Sequence, residues 1–367
     1  MKKVVIGMSG GVDSSVAAYI LKKEGYEVIG LFMRNWDSTL NNEIEGNLET
    51  NLICSQEIDY NDAKKVCDEL GIELHRVDFI KEYWDFVFTY FLDELKLGRT
   101  PNPDLMCNKY IKFDAFIKEA RELGADYIAT GHYARIEGNK LLRGIDYNKD
   151  QTYFLAQLTI DQFKDVLFPI GDLTKEQVRD LAKELNLSTA EKKDSTGICF
   201  IGERNMQKFI KNYIPNNSGD IIGVETKEVI GQHTGLMNYT IGQRRNVGIS
   251  GNNKRHFVCG KDMEKNILYV TFGENSDYLL SDECIIDKVN FISATHPTFC
   301  TAKFRYRGSD VEVQLEYLEN GEISVKYLGL TKAVTPGQAC VLYLGEECLG
   351  SGIIKEVRKN NEKLWYL

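Results

Sequence analysis

The sequence predicts an N-terminal α/β domain with a mainly parallel sheet, followed by a β-rich half. In the first part of the chain, apolar runs typical of buried strands (4–6, 26–33, 73–77 and 127–130) alternate with helical patterns (14–24, 62–70 and 110–123). Such alternation indicates parallel strands with helices on both faces of the sheet. From residue 219 onward, short alternating runs separated by Gly, Asn and Asp are typical of a β-barrel or sandwich. We expect strands at 219–224, 256–260, 267–272, 284–291, 301–306, 311–317, 323–327, 339–344 and 351–357.

Turn and capping residues mark where the predicted elements end. Gly71 and Gly124 directly follow two helical patterns and are suited to C-caps. Thr174 and Gln177 have the spacing of a capping box at the start of a helix over 174–185, and a further helix is expected over 203–213. The change of pattern near 214, with a second turn near 278, predicts three domains: 1–213, 214–278 and 279–367.

Length and composition indicate a globular protein with more than one domain. A chain of 367 residues is too long for one hydrophobic core, and 43% hydrophobic with 27% charged residues is an ordinary globular balance. The 45 Lys and Arg against 54 Asp and Glu give a net charge of −9, so a nucleic-acid partner needs a local basic surface. No apolar run has the length of a signal peptide core or a membrane span, and we expect a cytoplasmic protein that does not enter a membrane.

The nine cysteines include no C-x-x-C pair and are odd in number, so neither a disulfide framework nor a zinc site is expected. Cys284 and Cys340 lie inside strand patterns and are expected in the core. Cys107 and Cys199 instead lie in polar, turn-rich segments, where we expect loops; the first of these spans 98–109. These two thiols are the candidates for chemistry.

The strongest local signal is a glycine-rich loop between the first strand and the first helix. It comprises Gly7, Met8, Ser9, Gly10, Gly11, Val12, Asp13, Ser14 and Ser15. Adjacent glycines and a helix N-terminus favour anion binding, although a glycine-rich turn alone is also typical of ordinary strand-to-helix connections. A Walker A motif is excluded because its Lys is missing. The segment resembles the pyrophosphate-binding loop of the N-type ATP pyrophosphatases, which implies binding of ATP, with Asp13 holding Mg2+ against the phosphates.

Four further segments narrow the resemblance. They are Thr-Pro-Asn-Pro-Asp-Leu-Met-Cys-Asn-Lys at 100–109, Ala-Thr-Gly-His-Tyr-Ala-Arg at 129–135, Asp-Ser-Thr-Gly-Ile-Cys-Phe-Ile-Gly at 194–202 and Tyr-Thr-Ile-Gly-Gln-Arg-Arg at 239–245. In this order they are similar to the signature segments of the tRNA-specific 2-thiouridylase family, over essentially the whole chain. The resemblance implies an adenine nucleotide alpha hydrolase-like domain, a small central β-rich domain and a C-terminal β-barrel.

The resemblance also implies a reaction. ATP would adenylate the C2 oxygen of the wobble uridine of certain tRNAs, and sulfur would then replace that oxygen. The sulfur would come as a persulfide from a cysteine desulfurase or a sulfur-relay protein. The residues themselves fit this chemistry, because exchanging a carbonyl oxygen for sulfur needs an activated oxygen and a soft nucleophile.

The family match assigns roles to individual residues. Cys199 would carry the persulfide, and Cys107 would be the nucleophile that releases the sulfur and pairs with Cys199 in a transient disulfide. Asp104 would contact the target base as a possible general base, although a single loop Asp is also a common turn former. Met33 would line the adenine pocket, although it could also be an ordinary core residue. Gly131 would allow the backbone to approach the nucleotide closely.

Contacts to tRNA need local positive charge. Residues 231–260 contain Arg244, Arg245, Lys254 and Arg255 and no acidic residue, a pattern that suits phosphate binding but also an ordinary solvated face. Since glycines flank Arg244 and Arg245, we expect both in a loop. The family match adds the following tRNA contacts: Asn102, Pro103, Asp104, His132, Lys149, Asp150, Gln151, Arg305, Tyr306 and Gln338.

Three alternatives remain open from the sequence. One is a small-molecule ligase of the same superfamily that adenylates a carboxylate and admits ammonia. Another is an RNA-binding protein without catalysis. In the third, the function is unchanged but Cys107, Cys199 and an oxygen ligand hold an iron–sulfur cluster.

Overall fold

The computed structural model describes residues 1–37, 55–194, 206–249 and 255–367. The chain divides into two compact units. Unit 1 comprises Met1–Phe88, Pro103–Arg204 and Glu346–Cys348, and unit 2 comprises Thr89–Asn102, Asn205–Gly345 and Leu349–Leu367. Within the described residues, no helix combines the length and the apolar character needed to span a membrane.

The strands and helices have the following bounds. The strands are β1 Lys3–Gly7, β2 Glu27–Arg34, β3 Glu73–Asp78, β4 Tyr127–Ala129, β5 Ala134–Glu137, β6 Lys140–Arg143, β7 Val166–Leu167, β8 Gly219–Gly223, β9 Val229–His233, β10 His256–Asp262, β11 Ile267–Phe272, β12 Leu280–Phe291, β13 Phe299–Lys303, β14 Val311–Tyr317, β15 Ile323–Lys332, β16 Ala339–Leu344, β17 Glu347–Lys359 and β18 Glu362–Lys363. The helices are α1 Val12–Lys23, α2 Ser55–Leu70, α3 Ile80–Tyr83, α4 Thr89–Lys96, α5 Pro103–Met106, α6 Phe116–Glu122, α7 Thr152–Leu155, α8 Lys175–Glu184 and α9 Met206–Lys211.

Unit 1 is built on a parallel sheet with the strand order β3-β2-β1-β4-β7. β1 lies at its centre, with Val5 opposite Ile29 of β2 on one side and Ile128 of β4 on the other. Strands buried on both faces read as continuous apolar runs, which is why this part of the sequence predicts a parallel sheet. The carboxyl ends of β1, β2 and β4 therefore lie side by side, where ligands of such sheets bind.

The structure corrects the loop predicted over 98–109. A helix begins at Pro103 with α5, continues through the π-helical segment Cys107–Ala115 and ends with α6. Proline is favoured in the first turn of a helix, where its missing N–H loses no hydrogen bond, and acidic Asp104 suits the same turn. The prediction that Cys107 lies in a loop is therefore wrong, because this residue is helical.

Unit 2 contains two β-structures. The central one is a four-stranded sheet of order β10-β11-β8-β9. The C-terminal one runs β12-β15-β14-β13-β16-β17 and closes into a barrel, because β17 also pairs with β12. Cys284 and Cys340 are fully buried in the barrel core, as predicted. The predicted fold class is confirmed, while the domain boundaries at 213 and 278 stay predictions.

Local signals were confirmed at several helix ends. Gly71 and Gly124 adopt positive φ values of 60° and 80° after their helices, and Thr174 caps α8 through a complete capping box with Gln177. The hairpin of β5 and β6 was not predicted, because its strands are only four residues long.

Candidate active site

The glycine-rich loop joins β1 to α1 and is shaped by close backbone packing. Gly10 has φ +70°, and a Cβ there would lie 2.2 Å from the carbonyl oxygen of Asp59, so only glycine fits. Ser14 closes the loop, since its Oγ accepts from the Ser9 backbone N–H at 3.2 Å and donates to the Gly11 carbonyl at 3.1 Å. The result is a compact turn at the N-terminus of a twelve-residue helix, a geometry suited to phosphate oxygens.

Two predicted nucleotide contacts lie beside this loop. A Cβ on Gly131 would be 2.9 Å from the backbone nitrogen of Ser14, so the chain after β4 packs directly on the start of α1. Met33, at the end of β2, is buried, and its methyl group lies 3.7 Å from the position that a Cβ on Gly7 would occupy. Phe116 lines the same spot at 3.6 Å. Apolar side chains and the polar glycine-rich loop thus meet at one edge of the sheet.

Asp13 is the acidic residue of the loop, and two side chains donate to its carboxylate. Tyr133 Oη donates to Oδ1 at 2.8 Å, and Lys175 Nζ donates to Oδ1 at 2.7 Å and to Oδ2 at 2.9 Å. Burial raises the pKa of Tyr133, and the adjacent Asp13 carboxylate raises it further, so the phenol stays protonated as a donor. One carboxylate is the usual protein contribution to a Mg2+ ion that is otherwise held by phosphates. In the described part of the chain, no cluster of three metal-ligating side chains is present. A contact between Asp13 and Mg2+ stays a prediction.

Asp194 extends this polar cluster. It accepts hydrogen bonds from Lys149 at 2.6 Å and Arg179 at 2.7 Å, and its Oδ1 lies 2.8 Å from Lys175 Nζ. Burial alone would raise the pKa of Asp194, but the Lys149 and Lys175 ammonium groups outweigh it and hold the pKa below its ordinary value. Asp194 is the last described residue before the segment 195–205. Cys199 lies in that segment and is outside the described residues, so the predicted Cys107–Cys199 disulfide is not tested.

Asp104 and Cys107 lie on successive turns of the helix that begins at Pro103. The Cys107 side chain is fully buried, whereas Asp104 is partly exposed. Asn108 fixes this part of the helix, because its Nδ2 donates to the carbonyl oxygens of Asp104 and Phe154, both at 3.1 Å. Asn102 precedes the helix and is partly exposed, while Pro103 is buried.

The predicted tRNA contacts of unit 1 are largely engaged within the protein. His132 is buried and its Nδ1 lies 2.7 Å from Thr130 Oγ1; burial, and secondarily Lys112, lowers the pKa of its imidazole. Lys149 pairs with Asp194, as described above. The Gln151 side chain accepts from the Tyr133 backbone N–H at 3.0 Å.

Asp150 differs from its two neighbours. Its carboxylate is buried, accepts from the Thr152 hydroxyl at 2.9 Å and the Gly144 N–H at 3.2 Å, and lies 3.8 Å from the buried Arg143 guanidinium. The carboxylate is therefore engaged within the protein, next to Lys149. A tRNA contact of Asp150 stays a prediction.

In unit 2, Arg244 and Arg245 are exposed and lie outside helices and strands, as predicted. Positive φ values at Gly242 (82°) and Gly248 (82°) shape the loop. Within the described part of unit 2, neither guanidinium forms an ion pair. Lys254 lies outside the described residues, and Arg255 is exposed.

The other predicted contacts of unit 2 have intramolecular partners. Arg305 Nη2 donates to the carbonyl oxygens of Ile241 at 2.7 Å and Ala333 at 2.8 Å. Gln338 Nε2 donates to the Thr100 carbonyl at 2.7 Å. Tyr306, next to Arg305, is partly exposed. A role in tRNA binding stays a prediction for each of these three residues.

Comparison with known proteins identifies the family. Sequence profiles match at residues 2–203 (described as tRNA methyl transferase HUP domain), 207–272 (tRNA methyl transferase PRC-barrel domain) and 281–354 (aminomethyltransferase beta-barrel domain). The tRNA-specific 2-thiouridylase MnmA of Mesoplasma florum is 53% identical over 368 residues, which cover 96% of this chain and 98% of the relative. That of Metamycoplasma arthritidis is 54% identical over 369 residues, 100% of both chains. The chain belongs to the tRNA-specific 2-thiouridylase MnmA family.

Solved structures resemble this MnmA-family chain only distantly. A 4-thiouridine synthetase in complex with RNA and bound ATP has a TM-score of 0.35 and 18% identity, and covers 57% of this chain and 50% of its own. The NMN synthetase of Francisella tularensis has a TM-score of 0.32 and 19% identity, with 53% and 66% covered. Likenesses at this level carry no argument about function.

The structure adds site residues of this MnmA-family member that the sequence reasoning missed. Tyr133 lies in the segment 129–135, and Asp194 is the first residue of the segment that contains Cys199. The sequence around Lys175 indicates only that this residue follows a helix cap. Its contact with Asp13 could not be predicted, because Asp13 lies 162 residues earlier. Lys192 contacts Asp59 at 2.8 Å and Asp62 at 2.5 Å and so fixes the start of α2 next to Gly10.

Proposed function

We propose that this protein is an ATP-dependent tRNA-uridine 2-sulfurtransferase. It adenylates the C2 oxygen of the wobble uridine and replaces that oxygen with sulfur from a cysteine persulfide, giving 2-thiouridine, AMP and pyrophosphate. The proposal rests on the loop of Ser9 to Ser14, which packs against Gly131 and whose Asp13 accepts hydrogen bonds from Tyr133 and Lys175. This loop would bind the ATP that activates the uridine. The chain is also about as long as its 2-thiouridylase relatives.

In the activation step the loop holds ATP. Backbone N–H groups and the α1 N-terminus bind phosphate oxygens, and the Met33 side chain contacts the adenine. Lys175, already at Asp13, adds an ammonium group beside the phosphates. Mg2+ bound with ATP would neutralise phosphate charge, with Asp13 as its protein ligand. Asp104 accepts the N3 proton of the uridine, which raises the nucleophilicity of the C2 oxygen toward the α-phosphorus, and pyrophosphate leaves.

In the sulfur step the adenylated oxygen is the leaving group. The terminal sulfur of a Cys199 persulfide attacks C2, a C–S bond forms, and the C2–O bond breaks with its electron pair going to AMP. The Cys107 thiolate then attacks the Cys199 sulfur, and the S–S bond breaks with its electron pair on the sulfur of 2-thiouridine. A Cys107–Cys199 disulfide results, which a dithiol reductant must reduce before the next turnover. The persulfide is supplied by a cysteine desulfurase or a sulfur-relay protein.

The burial of Cys107 bears on this step. The Cys107 thiol is fully buried, and it must reach the persulfide of Cys199 for sulfur to be released. We expect bound tRNA to promote this encounter. The tRNA itself binds through the exposed Arg244 and Arg245, which supply local positive charge in a chain whose net charge is −9. A tRNA substrate implies that the enzyme works in the cytoplasm.

Nucleoside analysis tests the proposal. Undermodified tRNA incubated with the enzyme, ATP, Mg2+ and a persulfide source should yield 2-thiouridine at the wobble position, with AMP formed in equal amount. Omission of ATP should abolish the product. The Cys199→Ser and Cys107→Ser variants should both lose sulfur transfer, whereas Cys199→Ser should still accumulate adenylated tRNA.

Other outcomes would point to the alternatives. Turnover of ATP with ammonia in the absence of RNA would indicate a small-molecule ligase. Binding of tRNA with no ATP:pyrophosphate exchange would indicate an RNA-binding protein. A visible absorption band in the anaerobically purified protein would indicate an iron–sulfur cluster. Each of these results would contradict the proposed sulfur chemistry.

A further inference from the structure

Lys175 and Asp194 form an ion pair beside the glycine-rich loop, and both residues belong to unit 1. Lys175 Nζ lies 2.8 Å from Asp194 Oδ1 and also donates to both oxygens of Asp13, at 2.7 Å and 2.9 Å. The Lys175 side chain is only 12% exposed, so it has little access to water. One ammonium group is therefore shared between two carboxylates from distant parts of the sequence.

The two carboxylates would have different roles once ATP is bound. In the proposed function, Asp13 is the protein ligand of Mg2+. Two cations on one carboxylate repel each other, so Lys175 needs another partner if it is to stay beside the phosphates. Asp194 already contacts the same ammonium group and is not needed for the metal.

Asp194 is held in place by other groups besides this ammonium. Arg179 Nη2 donates to Asp194 Oδ1 at 2.7 Å and to the Lys192 carbonyl at 3.1 Å. Arg179 Nη1 donates to the Ala190 carbonyl at 3.0 Å, and Lys149 Nζ donates to Asp194 Oδ2 at 2.6 Å. Because Arg179 is part of α8, the helix that carries the shared ammonium group also fixes its partner.

The residues that lead to Asp194 are bound to the glycine-rich loop and its neighbours. Thr189 Oγ1 donates to Ser15 Oγ at 3.0 Å, in the first turn of α1. Lys192 Nζ donates to the Asp59 carboxylate at 2.8 Å. These contacts hold Asp194 beside the loop before any ligand binds, and a charged group that is already in place needs no rearrangement during the reaction.

We infer that Asp194 is the positioning residue that keeps the Lys175 ammonium group beside the ATP phosphates once Asp13 binds Mg2+. This inference rests on the proposed function. Without ATP, Lys175 pairs with both carboxylates. With Asp13 engaged by the metal, Asp194 retains Lys175 near the loop, where the ammonium group offsets the charge that develops as pyrophosphate leaves. Asp194 acts through Lys175 and touches no reacting atom.

The test is a double-mutant cycle on this ion pair. Asp194→Asn keeps an acceptor for the neighbouring donors but removes the charge, and Lys175→Met removes the ammonium group at similar side-chain size. Glu191→Gln is the matched control, because Glu191 pairs with Lys183 of the same helix at 3.5 Å, between two exposed side chains. Isothermal titration with Mg2+ and a non-hydrolysable ATP analogue measures the Kd without any turnover. ATP:pyrophosphate exchange in the presence of tRNA measures the activation step.

Asp194→Asn should weaken binding of the analogue by about ten-fold, the effect of one charge-assisted hydrogen bond, and slow exchange at saturating ATP by a similar factor. Lys175→Met should weaken binding at least as much. The double variant should bind no more weakly than Lys175→Met alone, because one residue acts through the other. Asp194→Glu should recover part of the loss, and Glu191→Gln should match the wild type in both measurements.

Four results would overturn the inference. Losses that multiply in the double variant would mean that Asp194 acts apart from Lys175. Unchanged binding in Asp194→Asn would mean that the carboxylate does not hold the ammonium group at the phosphates. Tighter binding would mean that it acts only as a negative charge that repels them. An equal loss in Glu191→Gln would trace the effect to the fold of this segment. A wild type that binds the analogue but forms no 2-thiouridine would instead contradict the proposed function.

Discussion

The ammonium group of Lys175 bridges both oxygens of the Asp13 carboxylate, at 2.7 Å and 2.9 Å. Lys175 is the first residue of α8, and Asp13 is the second of α1. A Lys side chain only 12% exposed is thereby held beside the glycine-rich loop. The same ammonium lies 2.8 Å from Asp194, so anionic groups from two parts of the chain share one cation where phosphates are expected.

Replacing Asp13 by Ala should reduce ATP:pyrophosphate exchange by about 100-fold or more, because the loop loses its carboxylate and the partner of Lys175. Binding of tRNA should be unaffected. The Asp13→Asn variant keeps an acceptor for Tyr133 and serves as the isosteric comparison. Exchange at the wild-type rate in Asp13→Ala would show that this residue does not act in the phosphate site.

Replacing Gly131 by Ala should weaken ATP binding by about ten-fold or more, because the new Cβ would lie 2.9 Å from the Ser14 nitrogen and displace the start of α1. Isothermal titration with a non-hydrolysable ATP analogue measures the effect. Gly329→Ala is the control, since a Cβ there has open space. Equal ATP affinity in Gly131→Ala and wild type would contradict the close approach of this residue to the nucleotide.

Replacing both Arg244 and Arg245 by Ala should lower the slope of log affinity for tRNA against log salt by about two units. Affinity for ATP should be unchanged. Lys326 and Lys355 provide a matched pair of alanine substitutions, since each already pairs with a glutamate on the barrel. Filter binding across a salt series measures both double variants. An unchanged slope in the arginine variant would place the phosphate contacts elsewhere.

The stability of unit 2 should depend on pH through Lys261. Burial lowers the pKa of its ammonium group to about 7, from 10.5 in the unfolded chain. Between these values the unfolded state binds more protons, so stability should rise with pH, by at most about 1.4 kcal/mol per unit. The Lys261→Met variant should lack this contribution. Chemical denaturation from pH 7 to 10 should therefore show that the free energy of unfolding of the wild type rises relative to that of the variant. A difference between the two free energies that does not change with pH would mean that Lys261 stays charged.

The parts of the site that the sequence could predict are contiguous. The glycine-rich loop carries its residue types in one run, and its place between β1 and α1 follows from the apolar pattern on each side. The parallel sheet follows for the same reason, because strands buried on both faces are apolar along their whole length.

What the sequence could not predict depends on distant partners. Nothing near Thr100 indicates that its carbonyl accepts from Gln338, 238 residues later. The polar segment around Pro103 favours a loop in isolation, yet it starts a helix whose Cys107 is buried. Asp150 looks like an exposed turn residue, but Arg143 and Thr152 bury its carboxylate. Tertiary packing overrides local composition at each of these positions.

Isotope transfer tests the central claim most directly. An anticodon stem–loop synthesised with 18O at C2 of the wobble uridine should pass that oxygen to AMP, because the adenylated C2 oxygen is the leaving group. Mass spectrometry of AMP and of the nucleosides from one reaction with ATP, Mg2+ and a persulfide source measures both products. We predict labelled AMP in an amount equal to 2-thiouridine. Formation of 2-thiouridine with unlabelled AMP would contradict activation of the C2 oxygen by this enzyme.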